Sequence, residues 1–208
     1  GAGSIQLAGT ASISAEGQGF RVTGLGQAGD GQGGLARISG LNAGLLSVTG
    51  AVTLKAAGYG RVNLANPFAL VQGGNGTGGT ASFTYTGGNA TLGATLALDA
   101  SGVGGIGGRQ NVTTIGGIGT GGHVELGAGT SLMLGGGSTI SVASATTMLA
   151  KGTGGDGFTA GAGIGGDAVI TARQGNLLLG SIPAGLPGNS ISVTVDGDGG
   201  DALGAGSA

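Results

Sequence analysis

Asp196, Asp198 and Asp201 are the only clustered acids in the chain, in the run Asp196-Gly-Asp-Gly-Gly-Asp-Ala-Leu203. Two carboxylates held across a cleft can do general acid–base work, including glycoside cleavage. In a glycine turn, however, Asp commonly bonds nearby backbone amides, and that structural reading is favoured for these three. The nine acids are otherwise dispersed over 208 residues. His123 is the sole histidine, so neither a histidine-based nucleophile triad nor a zinc site is expected. It opens an alternating run, which predicts a solvent-facing side chain opposite a buried Val124. No catalytic, cofactor-binding or metal-binding residue is assigned.

A cation is the remaining chemical option. Both Ala162-Gly-Ile-Gly-Gly-Asp-Ala-Val169 and the run at 196–203 approach the nonapeptide of calcium-binding β-rolls. Oxygen ligands in glycine loops suit calcium. Stacking at a repeat period would have to bring Asp167 and Asp201 together, with Asp156 nearby. The glycine clusters are not phosphate loops, because no Lys-Ser or Lys-Thr follows them and no helical pattern begins there. Asn75-Gly-Thr, Asn89-Ala-Thr and Asn111-Val-Thr are formal glycosylation sequons, for which chance is sufficient explanation. Thr84 and Thr86 make one pair of the kind that ice-binding solenoids array, without an in-register repeat elsewhere.

The elements that would carry these residues recur. Glycine doublets at Gly33-Gly34, Gly78-Gly79, Gly121-Gly122, Gly165-Gly166 and Gly199-Gly200 are spaced 45, 43, 44 and 34 residues apart. A period near 44 is the mark of a solenoid, in which each unit buries its apolar face only against its neighbours. After the doublets the residues alternate, as in Leu35-Ala-Arg-Ile-Ser39, Ala81-Ser-Phe-Thr-Tyr85, His123-Val-Glu-Leu126 and Ala168-Val-Ile-Thr-Ala172. Further runs follow, such as Ser131-Leu-Met-Leu134, Thr139-Ile-Ser-Val-Ala143 and Asn176-Leu-Leu-Leu179. Period-two alternation bounded by glycine reads as half-buried strands. The expected fold is all-β: a parallel β-helix or β-solenoid built from 44-residue glycine-rich repeats, with an antiparallel sandwich as its rival. Glycine is assigned to tight corners and close backbone approach. Five candidate strands at 29–72, including Arg61-Val-Asn-Leu64 and Phe68-Ala-Leu-Val71, favour two coils per unit. Three strands and a glycine tract at 74–116 favour one.

One solenoid segment is expected to occupy 1–208: a partial unit at 1–28, units at 29–72, 73–116, 117–160 and 161–196, and a partial unit at 197–208. Two prolines in Ser181-Ile-Pro-Ala-Gly-Leu-Pro-Gly188 mark a surface loop. The composition of 56 Gly, 3% aromatic and 8% charged residues, with no Cys or Trp, predicts a thin core of Ala, Val, Leu and Ile. Low charge and positive mean hydropathy set the chain apart from disordered sequences. A net charge of −2, with seven scattered Lys and Arg, gives no footprint for nucleic acid or an anionic membrane. No stretch is apolar enough to span a bilayer as a helix. The start, Gly1-Ala-Gly-Ser-Ile5, is not a signal peptide. Neither end reads as a cap, so either more protein follows or copies stack end to end, with the chain itself as partner.

Three segments carry a resemblance: Gly74-Asn-Gly-Thr-Gly-Gly-Thr-Ala-Ser-Phe83, Leu96-Ala-Leu-Asp-Ala-Ser-Gly102 and Gly117-Ile-Gly-Thr-Gly-Gly-His-Val-Glu-Leu126. The chain resembles the glycine-rich β-strand-repeat surface proteins of Gram-negative bacteria, akin to filamentous haemagglutinin-like and autotransporter passenger adhesins. The resemblance implies a right-handed β-helix, an extracellular or cell-surface location, and a role as fibre or adhesin stalk without catalysis. The alternative is a carbohydrate-binding or carbohydrate-cleaving β-helix with the 181–188 insert and nearby Asp residues along a groove.

Overall fold

The chain visits the same sheets in the same order in each circuit, four times in full and a fifth time in part, and every pairing among the described residues is parallel. The computed structural model describes residues 3–21, 26–41, 44–62, 71–107, 114–129, 137–180 and 190–202, and among these it is all-β with no helix. Sheet I stacks Ser4–Leu7, Gly44–Val48, Gly88–Leu92, Thr139–Val142 and Asn176–Leu179. Sheet II stacks Ala11–Ser14, Val52–Lys55, Leu96–Asp99, Thr146–Leu149 and Ile191–Thr194. Sheet III consists of the two-residue strands Gly17–Gln18, Gly58–Tyr59, Gly102–Val103, Gly152–Thr153 and Gly197–Asp198. Sheet IV pairs Gly26–Gln27 with Val71–Gln72 and continues as single bridges through Ile115 and Thr159. Sheet V holds Gly31–Gln32, Gly76–Thr77, Gly119–Thr120 and Gly163–Ile164. Sheet VI holds Leu35–Gly40, Thr80–Tyr85, His123–Gly129 and Asp167–Arg173. Such in-register parallel stacking is the arrangement of a parallel β-solenoid, and the antiparallel sandwich is excluded by the strand direction.

Register partners in sheets V and VI lie 43 to 45 residues apart, as in Gly31↔Gly76↔Gly119↔Gly163. A circuit therefore visits all six sheets before returning. That spacing gives one coil where 29–72 offered strands enough for two, and two of its five strand candidates fall largely on residues that are not described. Arg61 and Val62 are not in a strand, Val71 begins a two-residue strand, and the rest of both segments lies outside the described residues. Phe20 and Arg21 are likewise not in a strand, and Ser131-Leu-Met-Leu134 also lies outside the described residues.

The circuit has a thick half and a thin half. Sheets I, II and VI enclose the apolar core, because alternate residues point inward: Leu46, Val48, Val52, Leu54, Phe83, Leu92, Leu98, Leu126 and Met148 are all buried. In one column small side chains make room for a large one. The Tyr85 ring, stacked on Phe83 at 5.8 Å between centroids, has Gly40 and Ala128 as its register neighbours. One buried polar atom is left without a partner among the described residues: Thr146 is fully buried in the column Val52, Leu96, Thr146, Ile191, and its Oγ1 makes no hydrogen bond there.

Sheets III and V form the thin half, and no side chain separates them. An added Cβ on Gly102 would fall against the carbonyl oxygen of Thr120, and one on Gly76 against that of Val103, well inside 3.0 Å. The same holds alternately through the stack at Gly58, Gly119, Gly152 and Gly163. The glycine clusters are thus strands whose inward residue is glycine, and not the tight corners expected from sequence. Among the described residues, left-handed backbone occurs elsewhere, at Gly9, Gly88, Gly129, Gly180 and Gln174.

Hydrogen bonds close each circuit at two places. At the waist, the second glycine of each doublet donates to the carbonyl of the alanine that ends sheet II: Gly34 to Ala15, Gly79 to Ala56, Gly122 to Ala100 and Gly166 to Ala150, at 2.6–2.7 Å. At the tip, Gly74 N donates to Arg61 O, Gly105 N to Gly74 O, Gly117 N to Gly105 O, Gly155 N to Gly117 O and Gly161 N to Gly155 O. This zigzag climbs the axis without a break. The register also corrects the last doublet. Gly197 pairs with Gly152, so Gly199-Gly200 matches Gly154-Gly155 at the tip and is no truncated copy of Gly165-Gly166 at the waist. Its short spacing of 34 residues compares two different places in the circuit.

Two variants test this packing by urea denaturation. Gly102→Ala loses about 2–3 kcal/mol because backbone must shift to admit the methyl group, whereas Gly3→Ala, with nothing within 4 Å, stays within about 0.5 kcal/mol. Thr146→Val gains about 1 kcal/mol, since a methyl group of the same shape replaces an orphaned hydroxyl.

Candidate functional site

Stacking gathers the chain's sparse charges into pairs that bridge neighbouring circuits. At the corner between sheets II and III, the Lys55 Nζ lies 2.7 Å from a Glu16 carboxylate oxygen and 5.4 Å from the centre of the Tyr59 ring. Ser14 Oγ donates to the other Glu16 oxygen at 3.0 Å. The Lys55 ammonium holds the Glu16 carboxyl below the usual carboxylate range, and Glu16 with Tyr59 raises Lys55 above its ordinary value. Three circuits further on, Lys151 pairs with Asp198, and the pairing lowers the carboxyl and raises the amine. Arg61 donates to Gln18 Oε1 and to the Gly19 carbonyl.

Sheet VI carries the second set on its outer face. Thr80, His123 and Asp167 are successive register partners, and His123 Nδ1 meets Asp167 Oδ2. Two residues along, Arg37, Ser82 and Glu125 form the next outward column, with Ser82 Oγ donating to Glu125 at 3.0 Å. His123 faces outward beside a buried Val124, as its place in the alternation predicts. Its partnership with Asp167 is absent from the sequence reading, although their separation of 44 residues equals the repeat spacing and was the available signal.

A third set uses side chains to bond backbone in the next circuit. Asp30 Oδ1 accepts from Asn75 N at 2.7 Å, and Asn75 Oδ1 accepts from Ile118 N at 2.8 Å. Asp156 Oδ1 accepts from Asp201 N at 2.9 Å, and Thr114 Oγ1 accepts from Phe158 N. Each peg fastens an amide that glycine-rich backbone would otherwise leave to water.

The calcium arrangement drawn from sequence is not what the register builds. Asp167 opens a sheet VI strand beside His123, while Asp201 lies past sheet III beside Asp156. The two nonapeptide-like runs occupy different places in the circuit, so only Asp156 and Asp201 come together. Asp196 Oδ1 accepts from its own neighbour, Gly197 N, so it bonds a nearby amide as expected, but it does so at the entry to the sheet III strand Gly197–Asp198 and not in a glycine turn. Among the described residues, no group of three or more His, Cys, Asp or Glu is placed to hold a metal ion. The 181–188 insert and Asn111 lie outside the described residues. Asn89 is exposed on sheet I. The outward column of Thr84 runs Ser39, Thr84, Gly127, Thr171, and Gly127 interrupts any threonine array.

With this geometry in view, comparison with known proteins yields no bearing: no protein-family model, curated protein or solved structure matches the chain. Among the described residues no helix is long and apolar enough to cross a membrane.

The corner pair sets a pH dependence. A carboxyl whose folded-state pKa is depressed adds stability above its unfolded value, and that stability is lost as pH falls through the depressed value. Lys55, being raised, contributes until strongly alkaline pH. Between about pH 5 and pH 3, wild-type protein therefore loses more thermal stability than Glu16→Gln, by a few tenths to about 1 kcal/mol for so exposed a pair. Thermal melts across that range measure the difference.

Proposed function

We propose that the chain is a structural, non-catalytic segment of an extracellular fibre or adhesin stalk on a bacterial surface. In this reading it is a right-handed β-helix with a repeat of 44 residues. The observation that carries the reading is the use made of the polar side chains. Lys55, Lys151, Asp30, Asn75, Asp156 and His123 all bond the adjacent circuit, so the chemistry-bearing residues serve stacking. Right-handedness accords with the general preference of parallel crossover connections. Inward register positions at both faces support continued stacking: Ile5 and Ile13 at one, Ile170, Ile191 and Val193 at the other, are 38–60% exposed. Further circuits, of the same chain or of a second copy, would cover them and pair the free strand edges.

A second reading has one observation in its favour. The outer face of sheet VI presents Arg37, His123, Glu125 and Asp167 in adjacent columns, a polar strip able to bind surface glycans. Glycan arrays and polysaccharide digestion that both come up blank would remove it.

Electron cryomicroscopy of the purified full-length protein decides the leading proposal. Elongated rods or filaments with an axial layer spacing near ~4.8 Å, the distance between stacked strands, are expected. Compact, discrete monomers would count against a fibre role.

A further inference from the structure

Asn75-Gly76 is the only Asn-Gly dipeptide in the chain, and one residue of the next circuit holds both the side-chain amide of Asn75 and the nitrogen of Gly76. Ile118 N donates to Asn75 Oδ1 at 2.8 Å, and Gly76 N donates to Ile118 O at 2.9 Å. Asn75 N is tied in the other direction, to Asp30 Oδ1 at 2.7 Å. Asn-Gly is the dipeptide in which the following backbone nitrogen most readily attacks the side-chain amide, because glycine offers no steric shield. Here the glycine cannot be exchanged for a bulkier residue, since a Cβ on Gly76 would strike the Val103 carbonyl. The equivalent position to Asn75 is freer: Asp30 and Ile118 precede the register partners Gly31 and Gly119.

We propose that Asn75 is a deamidation site whose reaction is gated by the docking of the third circuit onto the second. The nitrogen of Gly76 bonds to Cγ of Asn75, the Cγ–Nδ2 bond breaks, and ammonia leaves with the proton from Gly76. Water then opens the five-membered imide at either carbonyl, giving aspartate or isoaspartate. Closure of the ring needs Gly76 N free and bent toward Cγ. In the stacked state that nitrogen is bonded to Ile118 O in an extended strand, so reaction proceeds only from the locally opened fraction. The products differ in consequence. Aspartate retains an oxygen for Ile118 N but sets a negative charge beside Asp30, one strand away. Isoaspartate inserts an extra backbone carbon, which displaces Gly76 from its place against Val103 and leaves the third circuit without its seat. Opening of the stack is thereby written irreversibly into the chain.

The test is peptide mass spectrometry of the intact protein aged at mildly alkaline pH in heavy-oxygen water, in buffer and in urea. Incorporation of one heavy oxygen at Asn75 in urea, slowed on the order of tenfold or more in buffer, is the expected result. Ile118→Pro, which removes the donor to Asn75 Oδ1, raises the buffer rate toward the urea rate. Asp30→Ala, which leaves both Ile118 bonds in place, raises it less and serves where the proline variant does not fold. Equal rates in buffer and urea, no reaction at Asn75 in urea, or equal rates for wild type and both variants in buffer would each overturn the proposal.

Discussion

Backbone pressed directly against backbone is the constraint on which the rest of this structure depends. Sheets III and V approach so closely that only hydrogen fits at their inward positions, and that single steric fact dictates glycine at every second residue of both. Closeness has a benefit beyond compactness. It brings the waist amides of Gly34, Gly79, Gly122 and Gly166 within reach of alanine carbonyls across the circuit, and it lets the tip zigzag run continuously. Glycine-rich chain is costly to order, and these hydrogen bonds together with dense contact offset that cost where no apolar side chain is available. The thick half, by contrast, is held by a conventional core of interlocking Leu, Val, Ile and Phe. Two kinds of packing thus share one circuit.

Much of the thick half was legible in the sequence because its strands are long enough to show alternation. Thr80–Tyr85 and Thr139–Val142 alternate polar and apolar residues in period two, and the core of Leu35–Gly40 does so from Ala36 to Ser39. The thin half obeys the same period in a form that hydropathy does not register. In Gly74-Asn-Gly-Thr-Gly-Gly79 the inward residue is glycine and the outward residue is polar, so the alternation is between absent and polar side chains. Reading such clusters as corners conceals strands of two residues, and it merges the waist and tip doublets into one series. The candidate site suffered in the same way. His123 with Asp167 and Asn75 with Asp30 become neighbours only through the register, and proximity along the chain carries no trace of them.

Among the described residues the pairing of charges has a physical side as well. In-register parallel stacking stands side chains in columns one strand apart. Such columns favour pairwise bonds between neighbours, as in Glu16 with Lys55 and Ser82 with Glu125. The same geometry that makes the stack regular thus ties its described charges to the neighbouring circuit.

The polar pegs also solve a problem that regularity creates. A circuit displaced by one full layer would still find glycine opposite glycine and apolar opposite apolar, so backbone and core alone identify a layer poorly. Glu16 needs Lys55, Asp30 needs the amide of Asn75, Asn75 needs that of Ile118, and Asp167 needs His123; no two of these pairs are alike. They act as an address system, giving each layer of a nearly uniform column its own neighbour and setting the order of assembly apart from its strength.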